Sequence, residues 1–241
     1  AKFFMDHEET LNTLKTLALS GGLLAVPLFL ILEQPDLKNT ITVVVIFCIM
    51  IYVAGLSYKI IGGALLIAVP LTIIFLSIVV QPDQKLLKDY QRSRIMSFLY
   101  PENEEYSDDI EQQNNSKTAM ASGELVGKKL SGDDSTTSVN QGNFVAENQT
   151  DFIFAVAGEE YGFIGCVIIV LLLLAIAFEC IRMSLRAKDL SGKVLCCGIG
   201  GLIALQSFIK ICVATGLAPN TGTPLPFVSY GLTSLVSLYI G

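Results

Sequence analysis

Histidine is almost missing from this chain: His7 is the only one among 241 residues, and it lies near the start. A histidine-activated nucleophile and a histidine-ligated metal are thereby excluded. Charge is scarce as well, at 16% of residues against 52% hydrophobic. Basic residues number 16 and acidic ones 22, so the chain lacks the positive excess that binds nucleic-acid phosphates, and nucleic acid is excluded as a partner. The cysteines, Cys48, Cys166, Cys180, Cys196, Cys197 and Cys212, lack zinc-site spacing. Adjacent Cys196 and Cys197 are poorly placed to pair with each other. All six lie in apolar runs and read as small buried hydrophobes.

What the chain does have is apolar length. A hydrocarbon core of about 30 Å needs roughly 20 apolar residues in a helix. Six segments approach or meet this, at about 16–32, 40–56, 60–80, 162–181, 194–217 and 228–241. The predicted fold is an all-α polytopic membrane protein with about six transmembrane helices and one large extracytoplasmic loop. Its expected divisions are three helices with short loops in 1–80, the loop with interfacial helices in 81–161, and two helices, a Pro/Gly-rich outer loop and a truncated last helix in 162–241. Pro27 and Pro70 fall inside spans and are expected to kink them. The chain starts at Ala1 and ends at Gly241 within an apolar run, and is expected to be part of a longer protein.

Basic residues in short loops set orientation. The 182–193 connector carries Arg182, Arg186, Lys188 and Lys193 against Asp189 alone, which makes it cytoplasmic. Counting spans then puts 33–39, 81–161 and 218–227 together on the outer face. These are the segments richest in polar and turn residues.

Within 81–161, Tyr90–Leu99 mixes Arg92 and Arg94 with apolar residues at helical spacing and suits the membrane interface. Residues 101–115 are acidic and read as exposed. Ser116–Leu130 reads as a half-buried surface segment, and 131–143 as a turn region. Asp151 then stands before an apolar stretch, with Thr150 as a candidate helix cap, and Glu159 and Glu160 follow at the mouth of the strongest span. Carboxylates so close to hydrocarbon are costly unless paired or wet. They read either as caps and interface anchors or as functional groups. The 214–231 segment, with Pro219, Pro224, Pro226 and three glycines, is too broken for a helix and reads as either a tight outer turn or a cavity lining.

Five blocks, in order along the chain, resemble the SEDS proteins (shape, elongation, division and sporulation), the RodA/FtsW/SpoVE group. They are LEQPDL at 32–37, YQRSRIMSFLYPE at 90–102, NSKTAMASGELVGK at 115–128, TDFIFAVAGEEYGFIG at 150–165 and NTGTPLPFVSYG at 220–231. The resemblance implies a fold of about ten transmembrane helices, of which this chain holds roughly the later two-thirds. It also implies a peptidoglycan glycosyltransferase that polymerises lipid II on the outer face of the bacterial cytoplasmic membrane, with a class B penicillin-binding transpeptidase as partner. The family's essential acid falls on Asp151. The matched blocks put Lys117, Arg92, Arg94, Glu159, Glu160, Gln34, Asp36, Pro224, Pro226 and Ser229 forward as substrate-binding residues. The chain departs from the family pattern at Lys38, Glu124 and Leu232, where glycine is usual, at Tyr161, where leucine is usual, and at Lys210, where asparagine is usual.

The implied reaction joins a sugar hydroxyl to an anomeric carbon carrying a polyprenyl pyrophosphate. It needs a base for the hydroxyl proton, expected to be Asp151. It also needs cations for the leaving pyrophosphate, with Lys117 foremost. No metal ligand set is read from the sequence, although a divalent cation such as Mg2+ suits the chemistry. Two other readings stand beside this one: a lipid-linked precursor transporter, which the intramembrane charges Glu179 and Lys210 suit, and a non-catalytic membrane scaffold for a transpeptidase.

Overall fold

A computed structural model describes residues 1–34, 37–81, 89–100, 107–131, 151–231, 236 and 239. Nine helices are formed among them: α1 (Lys2–Asp6), α2 (Leu14–Glu33), α3 (Leu37–Val53), α4 (Tyr58–Val80), α5 (Asp89–Leu99), α6 (Ser107–Ser122), α7 (Lys128–Ser131), α8 (Ile153–Arg186) and α9 (Leu190–Ala214). No strand occurs among the described residues. Helices α2, α4, α8 and α9 are long and apolar enough to cross a membrane, and α3 is a shorter apolar helix. Large apolar side chains such as Leu66, Ile67, Ile73, Leu171, Leu172 and Phe178 stand exposed along α4 and α8. So much uncovered apolar surface suits lipid rather than water. The all-α membrane architecture is therefore as expected.

Five of the six apolar segments are helical. The sixth, 228–241, falls mostly outside the described residues, and its described start, 228–231, is not helix. Two reasons are local: Phe227 has φ +62°, and the Leu225 amide donates to Ser229 Oγ, closing a turn. Helices α2 and α4 run through Pro27 and Pro70. All six cysteines are free; five are half-buried, but Cys48 is exposed on α3, contrary to the buried reading. A thiol is apolar enough to stand on a lipid-facing helix surface.

The chain forms two compact units, Ala1–Lys88 with Ile176–Leu202, and Asp89–Ala175 with Ile203–Gly241. In the first, α2 packs on α3, and Phe4, Leu11, Ile51, Ala54 and Val194 form a core. Asn12 clamps the α3–α4 turn: its Nδ2 donates to the Gly55 carbonyl at 3.2 Å, and its Oδ1 accepts from the Ser57 amide at 2.8 Å. The Asp189 side chain accepts from the Gly192 amide at 3.2 Å, so this acid caps the first turn of α9.

In the second unit α5 packs against α6, and α8 contains a break. Gly162 has φ +66° and ψ −166°, a conformation open essentially to glycine alone. The break separates a short leading helix, 153–161, from the long apolar one that follows, and coincides with the start of the strongest apolar run. Two amides released by it find partners in the α6–α7 turn. Phe163 donates to the Glu124 carbonyl at 2.9 Å, and Ile164 to the Leu125 carbonyl at 3.2 Å. In lipid such groups need protein partners, so this turn and the broken helix hold each other.

Candidate active site

The site is built in the second unit, where the start of α8, the end of α9 and α6 meet. Phe152 caps α8, since its carbonyl accepts from the Ala155 and Val156 amides. Its ring is 1% exposed and packs with Ala155 and Val213, alongside Met120 of α6. Asp151 therefore hangs just ahead of a helix N-terminus, where the peptide dipoles favour a negative charge. Thr150, the residue expected to cap this helix, lies outside the described residues.

The end of α9 is finished by a glycine turn. The Leu217 amide donates to the Cys212 carbonyl at 2.7 Å and the Gly216 amide to the Val213 carbonyl at 3.1 Å, with Gly216 at φ +79°. This is the paired closure that a left-handed glycine permits after a helix. Helix α6 supplies further donors. Gln113 Nε2 reaches the Val213 and Ala218 carbonyls at 3.2 and 2.8 Å, and Ser116 Oγ reaches the Ala214 carbonyl at 3.1 Å. The otherwise orphaned carbonyls of α9 are thus satisfied from about 100 residues upstream in sequence. Of 101–115, expected to be exposed, 101–106 lie outside the described residues; 107–115 belong to the helix Ser107–Ser122, on which Glu111 and Asn114 are exposed while Gln113, Ser116 and Met120 recur at helical spacing on its packed face.

All three carboxylates near the membrane are paired. Lys210 Nζ donates to Asp151 Oδ1 at 3.3 Å; the lysine side chain is 1% exposed and the aspartate 15%. The same ammonium lies over the Phe152 ring, 5.8 Å from its centroid. Lys128 Nζ meets Glu159 Oε1 at 2.9 Å, with Glu159 buried. Lys129 Nζ lies 3.8 Å from Glu160 Oε2 and donates to the Tyr161 hydroxyl at 3.1 Å, on an exposed surface. The hydrogen bond to Tyr161 raises the Lys129 pKa above the ordinary lysine value, with the Tyr161 and Glu160 charges acting in the same direction. In the first unit Glu179 is paired with Arg182 at 2.8 Å.

The residues singled out from sequence differ in exposure. Asp151 keeps an accessible edge, and Asp151 Oδ2 has no hydrogen-bond partner among the described residues. Lys117 is exposed on α6, and its stem lies alongside Gly216 at the end of α9. Arg92 and Arg94 are half-buried on α5, and Arg92 Nε is enclosed without a partner among the described residues. Glu159 is enclosed and holds Lys128, while Glu160 is more open. Pro226 and Ser229 are buried, with Ser229 pinning the 225–229 turn; Pro224 is half-buried. Gln34 is exposed at the end of α2 in the first unit, and Asp36 lies outside the described residues.

Sequence reading did not find that Lys210 and Lys128 are the partners of Asp151 and Glu159. A weak signal existed for one of them: Lys210 is a charge inside an apolar run, where the resembling family usually has asparagine. Among the described residues no group of three or more His, Cys, Asp or Glu comes together. Asp151 is held by an ammonium, so the donor set among the described residues does not fit a resident divalent cation.

The chain is similar to proteins of known name. It is 33% identical over 242 residues to "Peptidoglycan glycosyltransferase MrdB" of Escherichia coli K12, covering 99% of this chain and 61% of that protein. It is 34% identical over 214 residues to "Probable peptidoglycan glycosyltransferase FtsW" of Geobacter metallireducens, covering 89% of this chain and 53% of that protein. The chain therefore spans about three-fifths or less of these relatives' lengths. Among solved structures, one described as "Structural coordination of polymerization and crosslinking by a peptidoglycan synthase complex" contains a chain of the same fold. The match has a TM-score of 0.73 at 24% identity, over 98% of this chain and 63% of that one. The family model FTSW_RODA_SPOVE, described as cell cycle protein, matches residues 1–241, and the chain belongs to that family.

Proposed function

We propose that this chain is the part of a peptidoglycan glycosyltransferase that carries its base, and that the whole protein polymerises lipid II at the outer face of the bacterial cytoplasmic membrane. The observation that carries this reading is the setting of Asp151: one carboxylate oxygen tied to Lys210, the other without a partner among the described residues, at a helix start beside an apolar body. The relatives named as peptidoglycan glycosyltransferases support the reaction class.

In this reading the acceptor sugar hydroxyl gives its proton to Asp151 Oδ2 as its oxygen attacks the anomeric carbon. The new C–O bond forms as the bond to the pyrophosphate oxygen breaks, and that electron pair leaves with the pyrophosphate. Cations are needed where this charge grows. Lys117, exposed beside the end of α9, is the first of them; Arg92 and Arg94 on α5 are the next. The polyprenyl tail stays against the apolar helix faces in lipid. Glu159, Pro226 and Ser229 act by holding the site's shape, because all three are buried. Likeness in fold to a chain of a peptidoglycan synthase complex supports a class B transpeptidase as partner.

The experiment is a paired assay on the purified full-length protein in liposomes with labelled lipid II. One arm reads glycan polymer and the other reads lipid crossing the bilayer. Polymer formation supports the reading. Lipid crossing without polymer would establish a transporter instead, and neither activity beside intact transpeptidase binding would establish a scaffold.

A further inference from the structure

The Asp151–Lys210 pair is an unusual one to find at the end of an apolar helix. Taking an ammonium out of water is costly unless a counter-charge and good geometry compensate. Lys210 is 1% exposed, six residues from the start of the glycine turn at Gly216. Its ammonium meets Asp151 Oδ1 at 3.3 Å and lies 5.8 Å from the centroid of the buried Phe152 ring. Phe152 in turn is fixed by its cap position and by packing against Ala155 and Val213. The lysine therefore has a defined place, and the carboxylate it grips has one too. Asp151 joins the helix through the Phe152 cap, and among the described residues its side chain is held by Lys210.

We infer that Lys210 is a positioning residue for the reaction: its buried ammonium fixes Asp151 by Oδ1 and so presents Oδ2 to the acceptor hydroxyl. This rests on the reading of Asp151 as the base. The charge does two things an amide does less well. It brings a counter-charge against the carboxylate, and it holds one oxygen while leaving the other to react.

The test uses the full-length protein in detergent with lipid II as substrate. It compares kcat and KM for Lys210→Met, Lys210→Asn, Lys210→Arg and Asp151→Asn, each normalised to its folded fraction by thermal melting. Lys210→Met keeps the length but removes charge and donor; a misplaced reacting group costs on the order of 100-fold, so kcat should fall by about that much with KM nearly unchanged. Lys210→Asn restores a donor and should recover part of the loss, and Lys210→Arg, which restores the charge, should recover more. Should the methionine variant fail to fold, the asparagine variant carries the test through its own lowered kcat. A folded neutral variant with wild-type kcat would overturn the inference, as would a loss lying wholly in KM. The two readings fail separately. An active Asp151→Asn variant removes the base and the positioning role together, whereas an inactive Asp151→Asn beside a fully active Lys210→Met removes the positioning role alone.

Discussion

Lys128 and Glu159 form an ion pair at 2.9 Å, 31 residues apart in sequence, with the glutamate almost wholly enclosed. The contact ties the start of α7 to the short leading helix of α8, one turn before the break at Gly162. Gly123, in the same turn, lies so close to the Gly158 carbonyl that a side chain there has no room. The α6–α7 turn is therefore fastened to the leading helix by backbone contact and by charge, and the leading helix is what carries Asp151.

Removing Lys128 takes from the buried Glu159 the ion pair at 2.9 Å. Lys128→Met is expected to destabilise the protein by up to about 3–5 kcal/mol, the range for broken buried pairs. Adding Glu159→Leu should recover much of the loss. Denaturant titration in detergent reads both, and a single variant as stable as wild type would contradict the structural role given to the pair.

Glu124 occupies a position where the resembling family has glycine, and its φ is +48°. A left-handed backbone costs a side-chain-bearing residue roughly 1–2 kcal/mol. Glycine gives part of that back through a freer unfolded chain, by about 0.4–1 kcal/mol. Glu124→Gly should therefore stabilise by about 0.5–1 kcal/mol net. The Glu124 side chain is exposed, and it is the backbone carbonyl that accepts from the Phe163 amide, so no side-chain contact among the described residues is lost. A lowered melting temperature is the contrary result.

Lys129 has a raised pKa, owed first to the Tyr161 hydroxyl and then to the charges of Tyr161 and Glu160. A group whose folded pKa is raised contributes stability that is complete below its unfolded pKa and is lost as pH rises through the folded value. The affected window thus lies above the ordinary lysine range, and stability near neutrality is untouched. Tyr161→Phe should lower the Lys129 pKa, read by NMR titration of its side chain, and an unchanged value would remove the hydrogen bond as its cause.

Much of this was legible in the sequence. The apolar run beginning at Gly162 starts where the helix breaks, because the same glycine that interrupts the leading helix marks the edge of the hydrocarbon-facing stretch. Residues 90–99 were read as helical from their spacing, and α5 covers Asp89–Leu99. The cost of three carboxylates beside lipid was legible too, and each has a basic partner. Which partner was not legible. Lys210 and Asp151 are 59 residues apart, and nothing local to either names the other; only the packing of α9 against the start of α8 brings them together. Helix α6 was hidden for a similar reason. Its polar face reads as solvent-exposed until Gln113 and Ser116 are seen to satisfy the carbonyls at the end of α9. Pro226 and Ser229, which the resemblance puts forward as substrate-binding, are drawn inward with Leu225, itself buried with Phe154, Leu173 and Ala214.

The most direct measurement is glycan polymerisation by purified full-length protein carrying Asp151→Asn, with lipid II as substrate and polymer resolved by length. The substitution changes one oxygen to an amide nitrogen but also removes the counter-charge of the buried Lys210 ammonium, so polymer is normalised to the folded fraction read by thermal melting. Polymer should be absent, a loss of at least about 100-fold for removal of a general base. Normal polymer from the folded variant would contradict the assignment of Asp151 as the base.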